Sequence, residues 1–337
     1  MSEHERRLFV SARMVAERAG VSRSAVSRTF TDGASVSEET RRKVLDAARL
    51  LGYHVNHLAR GLREHSNIVC LVVADITTPI RARLVDELTR KLQAAGKITM
   101  VINTETDTAS VSAALGLTLN YRADATVVLS GTPSTSLIET CLANGQQVVL
   151  INRDDRLSGG HNLGVDNAMA GREAFFLLQR AGCKRLGVVT STAGTASLLE
   201  REHVFVEEAR HAGIPVSVTA AGPTSYASGL ESARRLFGRS QAPDGVFCVT
   251  DLLALGFMDG AREDFGLDIP NDLCVVGFDD IAEADWRSYR LTTFAQPLAE
   301  MAEYVVALIV QPGLADAQRR TFEPMPVWRN SVRPRAR

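Results

Sequence analysis

The stretch that decides the fold of the N-terminal part spans residues 11–30 and reads SARMVAERAGVSRSAVSRTF. Ser11 can cap a first helix, because its hydroxyl can accept a hydrogen bond from a first-turn amide. The apolar residues Val15 and Ala19 are spaced to lie on one face of that helix. Gly20 can then end it in the left-handed conformation. The pattern predicts a short amphipathic helix followed by a tight turn.

A second helix is predicted over residues 23–30, with Ser22 as its N-cap. Val26 and Phe30 lie one turn apart and are expected to point inward. The residues left on the exposed side are arginines and serines: Arg23, Ser24, Ser27 and Arg28. Two short helices joined by a Gly-containing turn form the hairpin whose second helix enters the major groove of DNA. The alternative is a small helical bundle that carries arginines on its surface.

A third helix is predicted to start at Ser37 and to stop at Gly52. Glu38 and Glu39 are favourably placed at the positive end of its dipole. Its apolar face is expected to bury Val44, Leu45, Ala48 and Leu51. The three helices together predict a small all-α head.

Charge separates this head from the rest of the chain. Residues 1–65 hold 12 Lys and Arg against 8 Asp and Glu, whereas residues 66–337 hold 26 against 31. A basic head on an acidic body indicates that only the head meets a polyanion. On the second helix, Arg28 can contact guanine bidentately, and the short side chains of Ser24 and Ser27 let the backbone approach the bases.

Composition excludes several classes of protein. The length of 337 residues fits two or three domains of roughly 150 residues each. No apolar run approaches the ~18 residues needed to cross a bilayer, and the charged start lacks the apolar stretch of an export signal. The five cysteines show no C-x-x-C spacing and no neighbouring histidine cluster, and three of them lie inside apolar runs, which favours reduced thiols. We expect a cytoplasmic protein, nucleoid-associated when bound to DNA, with no membrane partner, disulfide framework, metal site or cofactor.

From residue 67 onward, short β-branched runs alternate with helical patterns. The candidate strands are 68–74, 98–103, 125–129, 148–152, 186–190, 216–218, 246–249, 274–278 and 291–294. Strands that are apolar on both faces and separated by helices indicate parallel sheets covered on both sides. The body is large for one such sheet, so two lobes are predicted. Ligands of open α/β sheets bind beyond the carboxyl ends of the strands, which places a ligand between the lobes.

Motifs along the whole chain resemble those of the Lac/Gal repressor family. In the head they are MVAERAGVSRSAVSR (14–28) and residues 36–44, 51–53 and 56–62; in the body they are VGFDDI (276–281) and residues 73–79, 164–171, 200–201, 250–256 and 291–297. The resemblance implies an α/β protein with an all-α helix-turn-helix head and a periplasmic-binding-protein-like body of two doubly wound parallel-sheet lobes. It divides the chain into a DNA-binding domain (1–55), a hinge helix and linker (56–66), and an effector-binding and dimerisation domain (67–337).

By this resemblance, the second helix reads base edges, and Leu62 matches a hinge leucine that wedges into the minor groove and kinks DNA. The alternative is that Leu62 packs on the next domain. Val55 stands where the family usually has proline, and Gly61 weakens a helix by roughly 1 kcal/mol, which a hinge ordered only on DNA tolerates. The predicted DNA-binding residues are Ser11, Arg23, Ser24, Ser27, Arg28, Asn56, Leu62 and Arg63.

The resemblance also implies a small effector between the lobes. Asp279 and Arg201 match positions at which family members contact effector, and a carboxylate and a guanidinium suit vicinal hydroxyls. The predicted effector-binding residues are Arg81, Asn152, Asp166, Ser197, Arg201, Thr250 and Asp279. Asp166 either touches the ligand or braces its neighbours. Asp251 and Asp280 are expected to cap helices.

The first strand-to-helix turn departs from the family pattern. Residues 78–81 read Thr-Pro-Ile-Arg, where family members often show Asn-Pro followed by two aromatics. The loss of stacking surface and the gain of Arg81 favour an effector with a carboxylate or phosphate, held by Arg81 and Arg201, over a plain neutral hexose. A surface ion pair is the alternative role of Arg81. The expected effector is therefore a sugar, sugar acid or sugar phosphate.

No catalytic motif of the phosphate-loop, nucleophile-elbow or zinc-protease type occurs in the sequence. We predict a sequence-specific DNA-binding transcriptional regulator whose operator affinity is controlled by the effector. Repression is its expected mode of action. A homodimer on a near-palindromic operator is expected, because one head is too small for tight binding. Since the last residues show no leucine heptads, we expect a dimer and not a tetramer. The alternatives are a sugar-binding receptor or a sugar-modifying enzyme with a fused regulatory head.

Overall fold

The computed structural model describes residues 10–30, 34–53, 66–105, 107–129, 134–152, 160–238, 241–311 and 319–334. The chain divides into two compact units, Met1–Ser66 and Asn67–Arg337. The predicted hinge residues Asn56, Leu62 and Arg63 lie outside the described residues, so their roles stay predictions.

The first unit contains three helices, α1 (Ala12–Ala19), α2 (Arg23–Thr29) and α3 (Glu38–Leu51). Each N-cap serine accepts a hydrogen bond from the amide three residues further on, and these caps are Ser11, Ser22 and Ser37. Gly20 and Gly52 end α1 and α3 with φ angles of 66° and 65°, a conformation that favours glycine. The local signals in the sequence therefore set the helix boundaries here, apart from the end of α2, which comes one residue earlier than predicted.

The core of this unit is small and lies between the three helices. Its buried residues are Val15, Ala16, Val26, Val44, Ala47 and Ala48. Leu45, predicted to be buried, is instead 41% exposed. The reason is helical geometry, since the buried stripe of α3 follows residues three and four apart and Leu45 lies to one side of it.

The second unit alternates strands and helices. In chain order it contains β1 (Ile68–Ala74), α4 (Pro79–Ala94), β2 (Ile98–Thr104), α5 (Thr108–Asn120), β3 (Ala125–Val128), α6 (Thr135–Ala143), β4 (Gln147–Ile151), β5 (His161–Val165), α7 (Asn167–Arg180), β6 (Leu186–Thr190), α8 (Ala196–His211), β7 (Val216–Ala220), α9 (Tyr226–Phe237), β8 (Gly245–Cys248), α10 (Asp251–Phe265), β9 (Cys274–Val276), a 3₁₀ helix (Ala282–Asp285), β10 (Thr293–Ala295), α11 (Leu298–Val310), β11 (Arg319–Phe322) and β12 (Met325–Val327). None of the described helices combines the length and the apolarity needed to span a membrane.

Two parallel sheets form the body, as predicted. The N-lobe sheet has the order β11-β5-β4-β3-β1-β2, and the C-lobe sheet has the order β7-β6-β8-β9. The small antiparallel pair β10-β12 is bridged to the C-lobe sheet by Val276 and Thr292. Three strands were not predicted, β5, β11 and β12. In β11 the sequence Arg-Arg-Thr-Phe has no apolar run, because three of its four residues lie exposed at the sheet edge.

The chain passes between the two lobes three times. After β5 in the N-lobe, α7 packs against α8 in the C-lobe. After β10, α11 returns to the N-lobe and packs against α4, where Lys91 and Glu303 form an ion pair of 2.9 Å. After β11, β12 pairs with β10. Each lobe is therefore assembled from segments that are distant in the sequence.

The lobes meet where their sheets present the carboxyl ends of the strands. Arg83, in the first turns of α4, donates a hydrogen bond from Nη1 to the backbone carbonyl of Asp280, which follows β9. The end of β1 and the end of β9 thus lie on opposite walls of one cleft.

Candidate functional site

The exposed face of α2 is the candidate nucleic-acid interface. Arg23, Ser24, Ser27 and Arg28 are all exposed, whereas Ala25, Val26 and Thr29 on the other face are buried. The hydroxyls of Ser22 and Ser24 share a hydrogen bond of 2.9 Å, and Arg28 Nε donates to the carbonyl of Ser24 at 3.4 Å. The structure thus brings four of the predicted DNA-binding residues onto one helix face.

Two other head residues have structural tasks. Ser11 caps α1, since its Oγ accepts from the Met14 amide at 3.3 Å. Arg41 on α3 donates from Nη1 to the carbonyl of Thr29 at 3.2 Å and so ties α3 to the end of α2. Sequence reasoning missed this contact, because it joins residues twelve apart on different helices.

Arg201 forms the base of the C-lobe wall of the cleft. Its residue is 5% exposed, its Nε donates to the Ser197 carbonyl at 3.1 Å, and its Nη1 donates to the Val249 carbonyl at 2.5 Å. The guanidinium carbon lies 3.9 Å from the centre of the Phe278 ring, a cation–π contact. Burial lowers the pKa of Arg201 to about 10, so the group stays charged at neutral pH.

Asp279 lies beside Arg201 and is 6% exposed. Its Oδ1 accepts from Gln296 Nε2 at 2.6 Å, and its backbone has a φ of 124°. Burial raises the pKa of Asp279 to about 6, while Arg201, Gln296 and Arg81 each act to lower it. The pair Arg201 and Asp279 is therefore charged and almost fully enclosed at neutral pH.

Asp251 lies within electrostatic range of both residues of this pair. It does not cap a helix, contrary to expectation. It is fully buried, its Oδ1 accepts from the Thr293 hydroxyl at 2.5 Å, and its Oδ2 accepts from the Ile281 amide at 3.0 Å. Burial, together with repulsion from Asp279, raises the pKa of Asp251 to about 7. The local sequence pattern assigned this carboxylate to a helix cap, but residues distant in the sequence, Ile281 and Thr293, hydrogen-bond to it instead.

Three other acidic or hydroxyl residues each have a hydrogen-bond or ion-pair partner within the protein. Thr250 is the N-cap of α10, accepting from the Leu253 amide at 3.4 Å. Asp166 is the N-cap of α7, accepting from the Met169 amide at 2.7 Å. Asp280, also expected to cap a helix, instead pairs with Arg329 at 2.7 Å, because no helix begins at its position.

Arg81 lies on the N-lobe wall, in the first turn of α4, and its side chain is 29% exposed. Its Nη1 donates to the Ala74 carbonyl at 2.7 Å and lies 3.6 Å from Asp75 Oδ2. Asp75 is itself bound by the hydroxyls of Thr77 and Thr78, and these hydrogen bonds hold its pKa below the usual range. Burial lowers the pKa of Arg81, and the charges of Asp75 and Asp279 both act to raise it, so the guanidinium lies within electrostatic range of Asp279 on the C-lobe wall.

Asn152 follows β4 with a φ of 57° and donates its backbone amide to the Leu163 carbonyl at 2.7 Å. Its Oδ1 is buried and accepts no hydrogen bond from the described residues. The charges of Arg81 and Arg201 both act on Asp279, whereas among the described residues no hydrogen bond or ion pair joins the side chain of Asn152 or Asp166 to these three. The effector roles of both residues stay predictions.

Sequence reasoning missed three residues of the cleft, Arg83, Phe278 and Gln296. Phe278 and Gln296 lie inside the motifs 276–281 and 291–297, so the signal was present but the side chains were not singled out. Arg83 has no local signal, because its partner is a carbonyl 197 residues away.

Comparisons with known proteins bear directly on these two sites. A model described as bacterial regulatory proteins of the lacI family matches residues 13–56, and one described as a periplasmic binding protein-like domain matches residues 177–332. The HTH-type transcriptional regulator GalS of Salmonella typhimurium is 30% identical over 330 residues, which cover 96% of this chain and 97% of GalS. The chain belongs to the lacI family of bacterial regulatory proteins.

Solved structures show the same fold. A lac repressor dimer bound to operator and the anti-inducer ONPF matches with a TM-score of 0.87 at 20% identity, over 96% of this chain and 99% of that one. A complex of the transcriptional regulator CelR with cellobiose matches with a TM-score of 0.69 at 26% identity, over 96% and 99%. The predicted family and fold are confirmed. As a lacI-family member the protein is a DNA-binding transcriptional regulator and not an enzyme, as predicted.

Proposed function

We propose that this lacI-family regulator binds a near-palindromic operator as a homodimer, acts as a repressor, and has its operator affinity set by a small polyhydroxylated effector between its lobes. A sugar, a sugar acid or a sugar phosphate has the chemistry that the cleft suits. The protein acts in the cytoplasm, on the nucleoid, where its operator lies. The observation that carries the effector site is the enclosed pair of Arg201 and Asp279 at the carboxyl ends of the C-lobe strands.

The pair has unused hydrogen-bonding capacity. Arg201 donates Nε and Nη1 to carbonyls, and its Nη2 has no hydrogen bond to the described residues. Asp279 uses Oδ1 for Gln296, and its Oδ2 likewise has no hydrogen bond to the described residues. One hydroxyl of a vicinal pair can donate to the carboxylate while its neighbour accepts from the guanidinium. The relatives support this chemistry, since CelR was solved with cellobiose.

The effector controls DNA binding only through linkage. It must have different affinities for the DNA-competent and DNA-incompetent forms, and such couplings are typically ~1–3 kcal/mol. The lac repressor supports the dimer, because it was solved as a dimer bound to operator. Two heads on two half-sites give the affinity that one small head lacks.

The DNA-binding role is tested by sequencing the genomic fragments that the purified full chain retains and then measuring variants on the best site. We expect Arg28→Ala to cost ~1–3 kcal/mol and to relax the preference at one base pair. Lys43→Ala, on the exposed part of α3, serves as the comparison: where Lys43 contacts a phosphate, its loss weakens binding to all sequences alike and reduces the salt slope by about one. Equal losses on every sequence for Arg28→Ala would refute its base-reading role, and no preference of the full chain for any duplex would refute the proposal.

The effector role is tested by titrating the complex of full chain and operator with sugars, sugar acids and sugar phosphates. We expect one class to change operator retention. Asp279→Asn should abolish that response and leave binding to the operator without effector in place, whereas Asp264→Asn on the exposed side of α10 should behave like the native chain. An unchanged response of Asp279→Asn would place the effector elsewhere.

A further inference from the structure

We infer that the effector carries a negative charge, a carboxylate or a phosphate, and that Arg81 on the N-lobe wall binds it. This inference rests on the proposed effector site, whose hydroxyl-binding part is Arg201 and Asp279. The ligand would thus span the cleft, with hydroxyls at the C-lobe and the anion at the N-lobe.

The guanidinium of Arg81 is anchored on one side and open on the other. Its Nη1 makes all of its hydrogen bonds, to the carbonyls of Ala74 and Asp75 and to the Thr78 hydroxyl. Its Nε and Nη2 make no hydrogen bond to the described residues. These two nitrogens form one edge of the planar fork, which matches the two oxygens of a carboxylate or phosphate. An anchored fork of this kind is oriented before the ligand arrives.

The nearby carboxylate does not satisfy Arg81. Asp75 Oδ2 lies 3.6 Å from Nη1, and the Asp75 side chain is 49% exposed. The same carboxylate already accepts from the hydroxyls of Thr77 and Thr78. An exposed pair of this geometry contributes little, so a role confined to a surface ion pair leaves the open edge of Arg81 unexplained.

The charges around the cleft favour an anion. The charges of Arg81, Arg83 and Arg201 all act on Asp279 and lower its pKa, and among the described residues Arg83 pairs with no carboxylate but donates to the Asp280 carbonyl. The opposing carboxylates are Asp75 and the buried Asp279 and Asp251, of which Asp251 is partly protonated at neutral pH. A neutral ligand that covered Arg81 would remove its guanidinium from water with only the half-exposed Asp75, at 3.6 Å, as a close counter-charge, which is costly. A ligand with its own negative charge removes that cost.

The test measures binding of matched ligand pairs to the full chain by calorimetry. The pairs are gluconate with glucitol, galacturonate with galactose, and glucose 6-phosphate with glucose; inorganic phosphate alone is the small anion. We expect the charged member of a pair to bind at least ~10-fold tighter than its neutral partner. The pair that shows the difference distinguishes a carboxylate from a phosphate. Equal or tighter binding of the neutral member overturns the inference and leaves the sugar effector standing, whereas no binding by any ligand overturns both.

Variants on α4 then assign the charge to one residue. Arg81→Leu should lower affinity for the anion about 10- to 100-fold and should abolish the difference within the pair. Arg81→Lys should retain part of it, because an ammonium keeps the charge without the fork. Arg90→Leu is the matched control, since Arg90 lies on the same helix in an exposed pair with Asp86 and outside the cleft. Anion binding by Arg81→Leu at the native affinity, together with its loss in Asp279→Asn, would refute the role of Arg81 and keep the proposed site.

Discussion

The two walls of the cleft are built differently. On the C-lobe wall, Arg201, Asp279 and Asp251 are between 0% and 6% exposed, and packed elements fix each of them. On the N-lobe wall, Arg81 and Asp75 have side chains that are 29% and 49% exposed and belong to one turn. The C-lobe wall is therefore fixed by the packing of several elements, whereas side chains of the N-lobe wall can be substituted at little cost in stability. The comparison suggests that the C-lobe supplies general hydroxyl binding and the N-lobe decides which ligand is accepted.

The largest expected effect on stability comes from a substitution in the C-lobe wall. Arg201→Leu should lower the free energy of unfolding by ~3–5 kcal/mol, because it removes the strongest counter-charge of the buried Asp279 and leaves two carbonyls without a donor. Thermal and urea unfolding of the full chain, followed at the transition of the body, measure this loss. Arg172→Leu, which removes an arginine 50% exposed on α7, should change stability by less than about 1 kcal/mol. A loss of similar size in both variants would contradict the comparison.

A smaller effect is expected from crowding the same wall. A Cβ at Gly277 would lie 2.1 Å from Asp251 Oδ1 and 2.8 Å from Leu291 Cδ2. Gly277→Ala should therefore destabilise the body by ~1–3 kcal/mol and displace the buried carboxylate. The matched change in the N-lobe is Gly164→Ala, where a Cβ meets nothing within 4 Å. Differential scanning calorimetry compares the two variants. Equal unfolding temperatures would show that the C-lobe wall accommodates the added Cβ without loss of stability.

A third effect depends on pH. The pKa values of Asp279 and Asp251, about 6 and about 7, lie above the ordinary value for an unfolded chain. The folded state therefore binds more protons than the unfolded state, and the stability that these groups contribute at low pH is lost as the pH rises through 6 to 7. Each proton adds a slope of at most about 1.4 kcal/mol per pH unit.

Asp251→Asn isolates this contribution. Its amide can still accept from Ile281 and can donate to Thr293, so the fold should be kept. Unfolding free energies of the native chain and the variant between pH 5 and 8 should diverge, with the flatter profile in the variant. Parallel profiles would mean that Asp251 is ionised throughout that range.

The smallest effect on stability is expected from a substitution in the N-lobe wall. Arg81→Leu should change the free energy of unfolding by about 1 kcal/mol, because its ion pair is exposed and the loss is confined to its hydrogen bonds with the Ala74 and Asp75 carbonyls and the Thr78 hydroxyl. Chemical denaturation measures it beside Arg201→Leu. A loss as large as that of Arg201→Leu would make Arg81 a structural residue and remove the contrast between the walls.

Local signals account for what could be predicted from sequence. Ser22 and Gly52 act within one turn of their own helices, so their roles as caps could be inferred without tertiary structure. Asp251 has the same kind of local signal, but its carboxylate is taken by Ile281, 30 residues away, and the expected cap is formed by Thr250 instead. Strand β11 escaped prediction for a related reason, since it is stabilised by pairing with β5 across some 150 residues rather than by its own composition. Partners distant in the sequence are the part that periodicity and capping do not reveal.

The three passages of the chain between the lobes have a practical consequence for the design of chimeric regulators. The N-lobe takes its sheet from β1 to β5 but needs α11 and β11, which follow the entire C-lobe sheet. Grafting the N-lobe of one regulator onto the C-lobe of another therefore requires three splice points within the body, near residues 166, 297 and 324. A single crossover in the gene would exchange parts of both halves and leave each with a foreign edge strand or helix.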